Sequence, residues 1–205
     1  ELQNVKARFP MPDFTGQYTT MGDWGYARVA GVLRKMNWDD VLDDQFDLSG
    51  DAIGWGLNLS TNLKPGKNDV IRASVLFGEG VQNYMNDSPV DVGIVNQFSN
   101  PVSPIRGDTI PIFATVFFLD HTWNAKYSTS IGFSHQDNDN TDGQAPDAFK
   151  GSKYFLANLL YYPAPNVMMG GEFQWGQREN LDGYKADGVK VQFSFKYNFS
   201  HKFGG

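Results

Sequence analysis

The segment from Val189 to Phe203 reads VKVQFSFKYNFSHKF and alternates apolar and polar residues, with His201 as the one exception. Side chains of a β-strand point alternately to opposite faces, so this period of two predicts a strand with two different faces. One face is largely aromatic, and the other carries amides, hydroxyls and the cations Lys190, Lys196 and Lys202. The segment therefore predicts a strand that separates an apolar environment from a wet, basic one.

The same period of two recurs along the chain between polar turn clusters, and it predicts an all-β fold. We predict ten strands, in the segments 1–9, 14–22, 27–36, 53–62, 71–77, 109–119, 127–134, 155–162, 167–179 and 189–203. The strands at 109–119 and 155–162 are apolar on both faces, so the pattern leaves their orientation open.

The connections between the predicted strands alternate in length. Apart from an opening PMPD turn, short turns fall at 23–25, 64–68, 121–124 and 163–166, and longer loops at 37–49, 80–108, 137–151 and 180–188. An antiparallel meander places all the short turns at one end and all the long loops at the other. This arrangement is typical of up-and-down transmembrane β-barrels.

Composition excludes several classes of function. The chain has 205 residues, no cysteine and a formal net charge of −6. The lack of cysteine excludes disulfides, zinc–thiolate sites and thiol catalysis, and the acidity disfavours a general nucleic-acid binder. No segment is long and apolar enough for a transmembrane helix, and the opening ELQNVKARF lacks a signal-peptide pattern, which indicates a mature or trimmed chain. No linker or repeat divides the chain, so we predict one domain over 1–205.

A water-soluble barrel also alternates, with its apolar face turned inward, so aromatic residues must help to distinguish the two arrangements. Trp24 and Trp123 fall at short-turn ends, and Trp38 and Trp175 fall near long-loop ends. Amphipathic rings at both ends of the strands are expected at the two interfaces of a bilayer. Trp55 alone fits the mid-strand position expected of a soluble core.

Acidic and basic residues are also distributed differently between the loops and the strands. Aspartates crowd the long loops, whereas the polar faces of the strands carry Lys and Arg with Glu172 as the predicted sole carboxylate. We therefore predict a basic interior whose pore-lining residues are Arg28, Arg34, Arg72, Glu172, Arg178, Lys190 and Lys196. Cations in a pore raise the local anion concentration, so this interior predicts an anion path. The alternative is that Arg28, Arg72 and Glu172 pair with one another across a packed interior.

Several stretches of the chain resemble the DcaP-like porins of Gram-negative outer membranes. They are MGDWGYARVAGVLRK (21–35), DLSGDAIGWGLNLSTNLKPGKNDVIR (47–72), FGEGVQNYMND (77–87), LANLLYYPAPNVMMGGEFQWGQREN (156–180) and VQFSFKYNFSHKF (191–203). The resemblance implies a wide, sixteen-stranded, trimeric barrel that passes small anionic solutes. It also implies an outer-membrane location, contact with lipopolysaccharide and the assembly machinery, and an assembly signal at Phe203.

The chain is shorter than that family pattern requires, because sixteen strands of about ten residues leave little of this length for loops. Either it is the C-terminal portion of a larger barrel, or its ten strands close by themselves in a trimmed or engineered barrel. A ten-stranded barrel is only a little wider than the eight-stranded barrels that side chains fill, so its lumen would conduct poorly or not at all.

Two further motifs suggest other chemistry only weakly. The run DNDNTDG at 137–143 resembles a calcium loop, but counting from Asn138 its twelfth position is Phe149 and not the glutamate such a loop needs. His135 and Asp137 lie two residues apart at the end of a predicted strand. This pair is the basis of a minor alternative, an outer-membrane hydrolase, although no nucleophile or second base completes a triad. We predict no enzyme activity, no cofactor and no metal site.

Overall fold

Alternating residues form each predicted strand in whole or in part in the computed structural model of the chain, which describes residues 4–85 and 88–200. The last predicted strand ends at Tyr197 and does not continue through 198–200. The strands are β1 (Val5–Arg8), β2 (Phe14–Gly22), β3 (Gly25–Asp40), β4 (Gly50–Leu63), β5 (Asp69–Glu79), β6 (Val92–Asn96), β7 (Ile105–Thr109), β8 (Pro111–Asn124), β9 (Tyr127–Asn138), β10 (Phe149–Tyr161), β11 (Val167–Asn180) and β12 (Lys185–Tyr197). Within the described residues the helical structure is a single 3-10 turn, Gln82–Tyr84, and no helix there could cross a membrane. The predicted all-β class is confirmed.

The main sheet is an antiparallel meander in the order β3, β4, β5, β8, β9, β10, β11 and β12. Strands β6 and β7 form a separate hairpin inside the connection between β5 and β8. The β2–β3, β4–β5, β8–β9 and β10–β11 connections lie at one end of the sheet, which we call the short-turn end. The β3–β4, β5–β8, β9–β10 and β11–β12 connections lie at the other end, the long-loop end. The predicted up-and-down topology is confirmed.

The β8–β9 and β11–β12 connections are among those that differ from the prediction. Strand β8 continues to Asn124, so its turn lies at 125–126 and not at 121–124. The predicted long loop at 180–188 shrinks to 181–184, because Lys185 already pairs with Glu179 across β11 and β12. Gly183 makes this tight turn with a φ of +84°, a conformation that a residue with a Cβ rarely adopts.

The first two strands share one edge of β3. Strand β1 pairs along residues 37–40 of β3, and β2 pairs along residues 25–33 of the same strand. The prediction that PMPD is a turn between neighbouring strands is therefore wrong. Pro10 and Pro12 lack the N–H that a ladder needs, so the pairing breaks there while the chain continues in the same direction.

The sheet has two open edges in the part of the chain that the structure describes. No residue pairing joins β12 to β1 or β2, although every other neighbouring pair of the meander is hydrogen-bonded. Within the described residues, therefore, the ten predicted strands do not close on themselves. Because β1 and β2 occupy one edge together, the chain also supplies one strand position fewer than predicted.

The two faces of the sheet differ in chemistry. Paired residues point to the same face, so the register carries each face from strand to strand. The face that bears Arg28, Ser60 and Ser74, which we call the polar face, also carries Ser134 and Tyr154. We call the opposite face the apolar face. The register settles the orientation that the sequence left open for β8 and β10.

Large hydrophobic side chains stand uncovered on the apolar face. Phe193 is 85% exposed, Phe117 48% and Ile131 47%, with no second layer of structure over them in the described residues. The buried apolar residues lie instead at the long-loop end and in or under the β5–β8 connection: Met36, Trp38, Val81, Ile110, Ile112, Ala114 and Phe149. A folded protein rarely leaves so large an apolar surface in water.

Single cysteine probes should separate the two faces of β12 in the protein reconstituted in lipid vesicles. The chain has no native cysteine, so each label is unique. Nitroxide labels at Val191 or Phe193 are expected to collide with oxygen dissolved in lipid, and labels at Lys190 or Lys196 with a water-soluble relaxant. The opposite accessibility pattern in electron paramagnetic resonance would show that the apolar face is turned away from lipid.

Candidate functional site

All seven residues that the sequence predicts as pore-lining lie on the polar face. They come from four strands: Arg28 and Arg34 from β3, Arg72 from β5, Glu172 and Arg178 from β11, and Lys190 and Lys196 from β12. The structure brings them to one face but gives them different surroundings, so their charges are not equivalent.

Three of these cations are open to the space in front of the polar face. Arg28 donates from Nε to Thr19 Oγ1 at 3.0 Å, and its guanidinium lies over the Tyr26 ring at 5.5 Å. Neither Arg28 nor Lys190 nor Lys196 forms an ion pair with a carboxylate of the described residues. Their charges are therefore available to a solute.

Arg72 is paired with a carboxylate that the sequence did not reveal. Its Nη2 lies 2.7 Å from Asp120 Oδ2, and Ser130 donates to the other oxygen of Asp120 at 2.6 Å. The polar face therefore carries Asp120 in addition to Glu172, which corrects the prediction of one carboxylate. The apolar residues on both faces of β8 hid the alternation that would have assigned Asp120 to this face.

Glu172 accepts hydrogen bonds from amides and not from arginines. Gln192 Nε2 donates to its Oε1 at 3.0 Å, Gln174 Nε2 donates to the same oxygen, and Asn158 Nδ2 lies 3.5 Å from Oε2. Because Arg72 pairs with Asp120, the predicted alternative in which Arg28, Arg72 and Glu172 pair with one another is not observed among the described residues.

Arg178 lies near the long-loop end of the polar face. Its Nε donates to Asn180 Oδ1 at 2.9 Å and its Nη2 to the Asp147 carbonyl at 3.3 Å, and the guanidinium lies over the Phe149 ring at 5.5 Å. The side chain has no carboxylate partner among the described residues, so its charge adds to those of the open cations.

Arg34 is the exception among the predicted residues, because its side chain is only 3% exposed. It is covered by residues 80–85, which we call the inward segment because they lie on the polar face. Val81 packs there against Gly56, and Gln82 Nε2 donates to the Ile110 carbonyl at 2.7 Å. The sequence predicted a long loop at this place but gave no sign that the loop turns onto the strand wall.

The tryptophans only partly follow the predicted interface pattern. Trp24 and Trp123 are 44% and 61% exposed at the short-turn end, as predicted. Trp38 is buried on the polar-face side, where its Nε1 donates to the Leu48 carbonyl at 2.8 Å, so its predicted interfacial position is wrong. Trp55 is on the apolar face, 42% exposed, and donates to Glu79 Oε1 at 3.0 Å, so it is not a core residue.

His121 and His135 lie on the apolar-face side of their strands. His135 Nδ1 is 3.2 Å from the Ser152 carbonyl, and the ring points to the apolar-face side of β9. His121 Nδ1 lies 2.7 Å from Asp69 Oδ1 near the short-turn end. In the described parts of the chain, no cluster of three or more His, Cys, Asp or Glu side chains could hold a metal ion. The predicted assembly signal, Phe203, lies outside the described residues.

Comparison with solved structures identifies a protein with the same fold as this sheet. No protein family and no curated protein sequence matches the chain. The outer membrane channel DcaP of Acinetobacter baumannii matches in structure with a TM-score of 0.82 and 18% sequence identity, over 97% of this chain and 54% of that chain. The chain thus spans about half the length of that channel and has a DcaP-like porin fold.

A second solved structure, the NanC porin, matches with a TM-score of 0.45 and 10% identity over 91% of this chain and 93% of that chain. This similarity is too low to carry an argument. The DcaP match shows the fold alone, because one fold hosts many functions and function depends on the residues of the site.

Proposed function

We propose that this chain forms part of the wall of an outer-membrane channel through which small hydrophilic solutes, preferentially anions, diffuse passively. The observation that carries the proposal is a single sheet with an uncovered apolar face and a polar face that bears cations. In a transmembrane barrel the first face contacts lipid and the second lines the lumen.

The border of the apolar face supports the membrane location. One row across β9, β10 and β11 is aromatic, and the next row towards the long loops is polar: Phe133, Phe155 and Trp175 are followed by His135, Lys153 and Gln177. A change within two residues matches the step from hydrocarbon to headgroups at a bilayer interface. We propose that this border contacts the lipopolysaccharide of the outer leaflet.

The anion preference rests on the cations without a carboxylate partner. Arg28, Arg178, Lys190 and Lys196 face the proposed lumen, whereas Arg34 and Arg72 are offset by nearby acids. The glutamate among them, Glu172, is surrounded by amide donors. A solute would therefore meet a predominantly positive wall, so small anions are expected to be enriched there.

The open edges indicate that the lumen needs further strands beyond those described here. We propose that the sheet is one portion of a larger barrel. We also propose that the barrel is a homotrimer inserted by the outer-membrane assembly machinery, and that Phe203 belongs to the assembly signal. These partners, and the absence of a cofactor, follow from the resemblance to DcaP-like porins. The mass of the detergent-extracted complex would test the oligomeric state. The alternatives remain a barrel with a filled lumen and no transport, or an outer-membrane hydrolase.

Single-channel recording of the full-length protein in planar bilayers tests the proposed function. We expect discrete conductance steps and, in a salt gradient, a reversal potential of the sign that anion preference produces. The preference should weaken as the ionic strength rises, because the screening length falls from about 10 Å at 0.1 M to about 3 Å at 1 M. An absence of steps would favour the filled barrel, and cation preference would contradict the role of the open cations.

A further inference from the structure

The buried guanidinium of Arg34 joins three separate parts of the chain. Its Nη1 donates to Asn83 Oδ1 at 2.5 Å, to the Gly80 carbonyl at 3.2 Å and to Asp91 Oδ2 at 2.8 Å, all in the β5–β8 connection. On the other side, Asp13, in the break between β1 and β2, lies 3.4 Å from Nε. The two N–H groups of Nη1 are shared among its three acceptors, and the contact of Nε with Asp13 is an ion pair without a hydrogen bond.

Two aromatic rings complete the surroundings of this guanidinium. The centroids of the Phe9 and Tyr84 rings lie 5.9 Å and 5.8 Å from its central carbon. The Tyr84 hydroxyl donates to Asp13 Oδ2 at 2.6 Å, and this bond, with partial burial, raises the pKa of Tyr84 above its ordinary value. Tyr84 therefore remains a protonated donor at neutral pH and links the inward segment to the same acid as Arg34.

The inward segment occupies space in front of the polar face. Met85, at its end, lies between two cavities of about 630 Å³ and about 700 Å³. Arg28 lines the first cavity, and Tyr154 and Arg178 line the second. The position of Met85 relative to the wall therefore limits the free space beside the open cations.

We propose that Arg34 is a positioning residue that sets the width of the lumen by holding the inward segment against the wall. The proposal rests on the proposed function, because it assigns the polar face to a lumen. It differs from the sequence prediction, in which Arg34 was one more cation in contact with the solute. In the structure, its guanidinium instead forms the ion pairs and hydrogen bonds that hold the inward segment in place.

A pair of spin labels tests the positioning role independently of conductance. Labels at Met85→Cys and Ser134→Cys, on the inward segment and on β9, are expected to give a narrow distance distribution in the otherwise unaltered protein. Arg34→Gln should broaden or shift that distribution. Lys35→Gln is the matched control, because Lys35 is the next residue of β3, faces the other way and approaches Asp51 at 3.7 Å. It should leave the distribution unchanged.

Single-channel recording then tests the effect on lumen width. Arg34→Gln should raise the unitary conductance and admit larger polyethylene glycols, and Lys35→Gln should do neither. If Arg34→Gln does not fold, Asp91→Asn removes one carboxylate partner and should change the distances in the same direction. Unchanged distances in every folded variant would overturn the proposal. Changed distances in a protein that never conducts would support the positioning role and contradict the proposed function instead.

Discussion

Phe117→Arg is expected to strongly destabilise the protein in a bilayer, whereas the neighbouring Val116→Arg is expected to change its stability little. Both residues lie in the middle of β8 and have similar exposure in the absence of lipid, 48% for Phe117 and 38% for Val116. They point to opposite faces of the sheet. An arginine that faces the centre of a bilayer costs about 2–4 kcal/mol, whereas an arginine in a water-filled lumen does not pay this penalty.

The measurement is the free energy of unfolding of the full-length protein from phospholipid vesicles, by denaturant titration of tryptophan fluorescence. A loss of stability for Phe117→Arg alone would support lipid contact of the apolar face. Equal, small losses for both variants would show that both faces meet water. A larger loss for Val116→Arg would mean that the polar face is the packed interior.

Strand direction and face could be predicted where the alternation is strict. In β12 the period of two assigns every residue from Val189 to Tyr197 to the face that the structure shows, and in β3 it assigns Arg28 and Arg34 correctly. In β8 apolar residues occupy both faces, so the pattern did not assign Asp120. The period of two is a local signal, and it fails where one face lacks the polar residues that mark it.

The features that could not be predicted depend on contacts between distant segments. The sequence shows that β1 alternates, but only its register against β3 places Arg8 beside Asp39, at 2.6 Å, on the apolar-face side. Arg34 likewise has the spacing of a lumen residue, and only the docking of the β5–β8 connection buries it. The sequence therefore predicts which residues of a strand share a face, whereas the identity of that face and the exposure of its side chains depend on pairing and on what packs over the strand.

The difference between exposed and covered cations also predicts which cations of the polar face most affect ion selectivity. Arg28→Glu combined with Lys190→Glu replaces two open cations with anions on strands far apart in the meander. We expect this variant to shift the reversal potential in a salt gradient strongly towards cations at low ionic strength. The shift should decrease as the screening length falls towards about 3 Å at 1 M salt.

A swap of the paired charges provides the matched comparison. Arg72→Asp combined with Asp120→Arg exchanges two charges that lie 2.7 Å apart and leaves their sum unchanged, so a solute should experience almost the same field. The reversal potential of this variant should stay close to that of the unaltered protein. If the swap shifts the potential as much as Arg28→Glu with Lys190→Glu does, selectivity depends on individual contacts with Arg72. If neither variant shifts the reversal potential, the polar face does not line the conducting path. Cations without carboxylate partners would change the ion selectivity if they faced permeating ions.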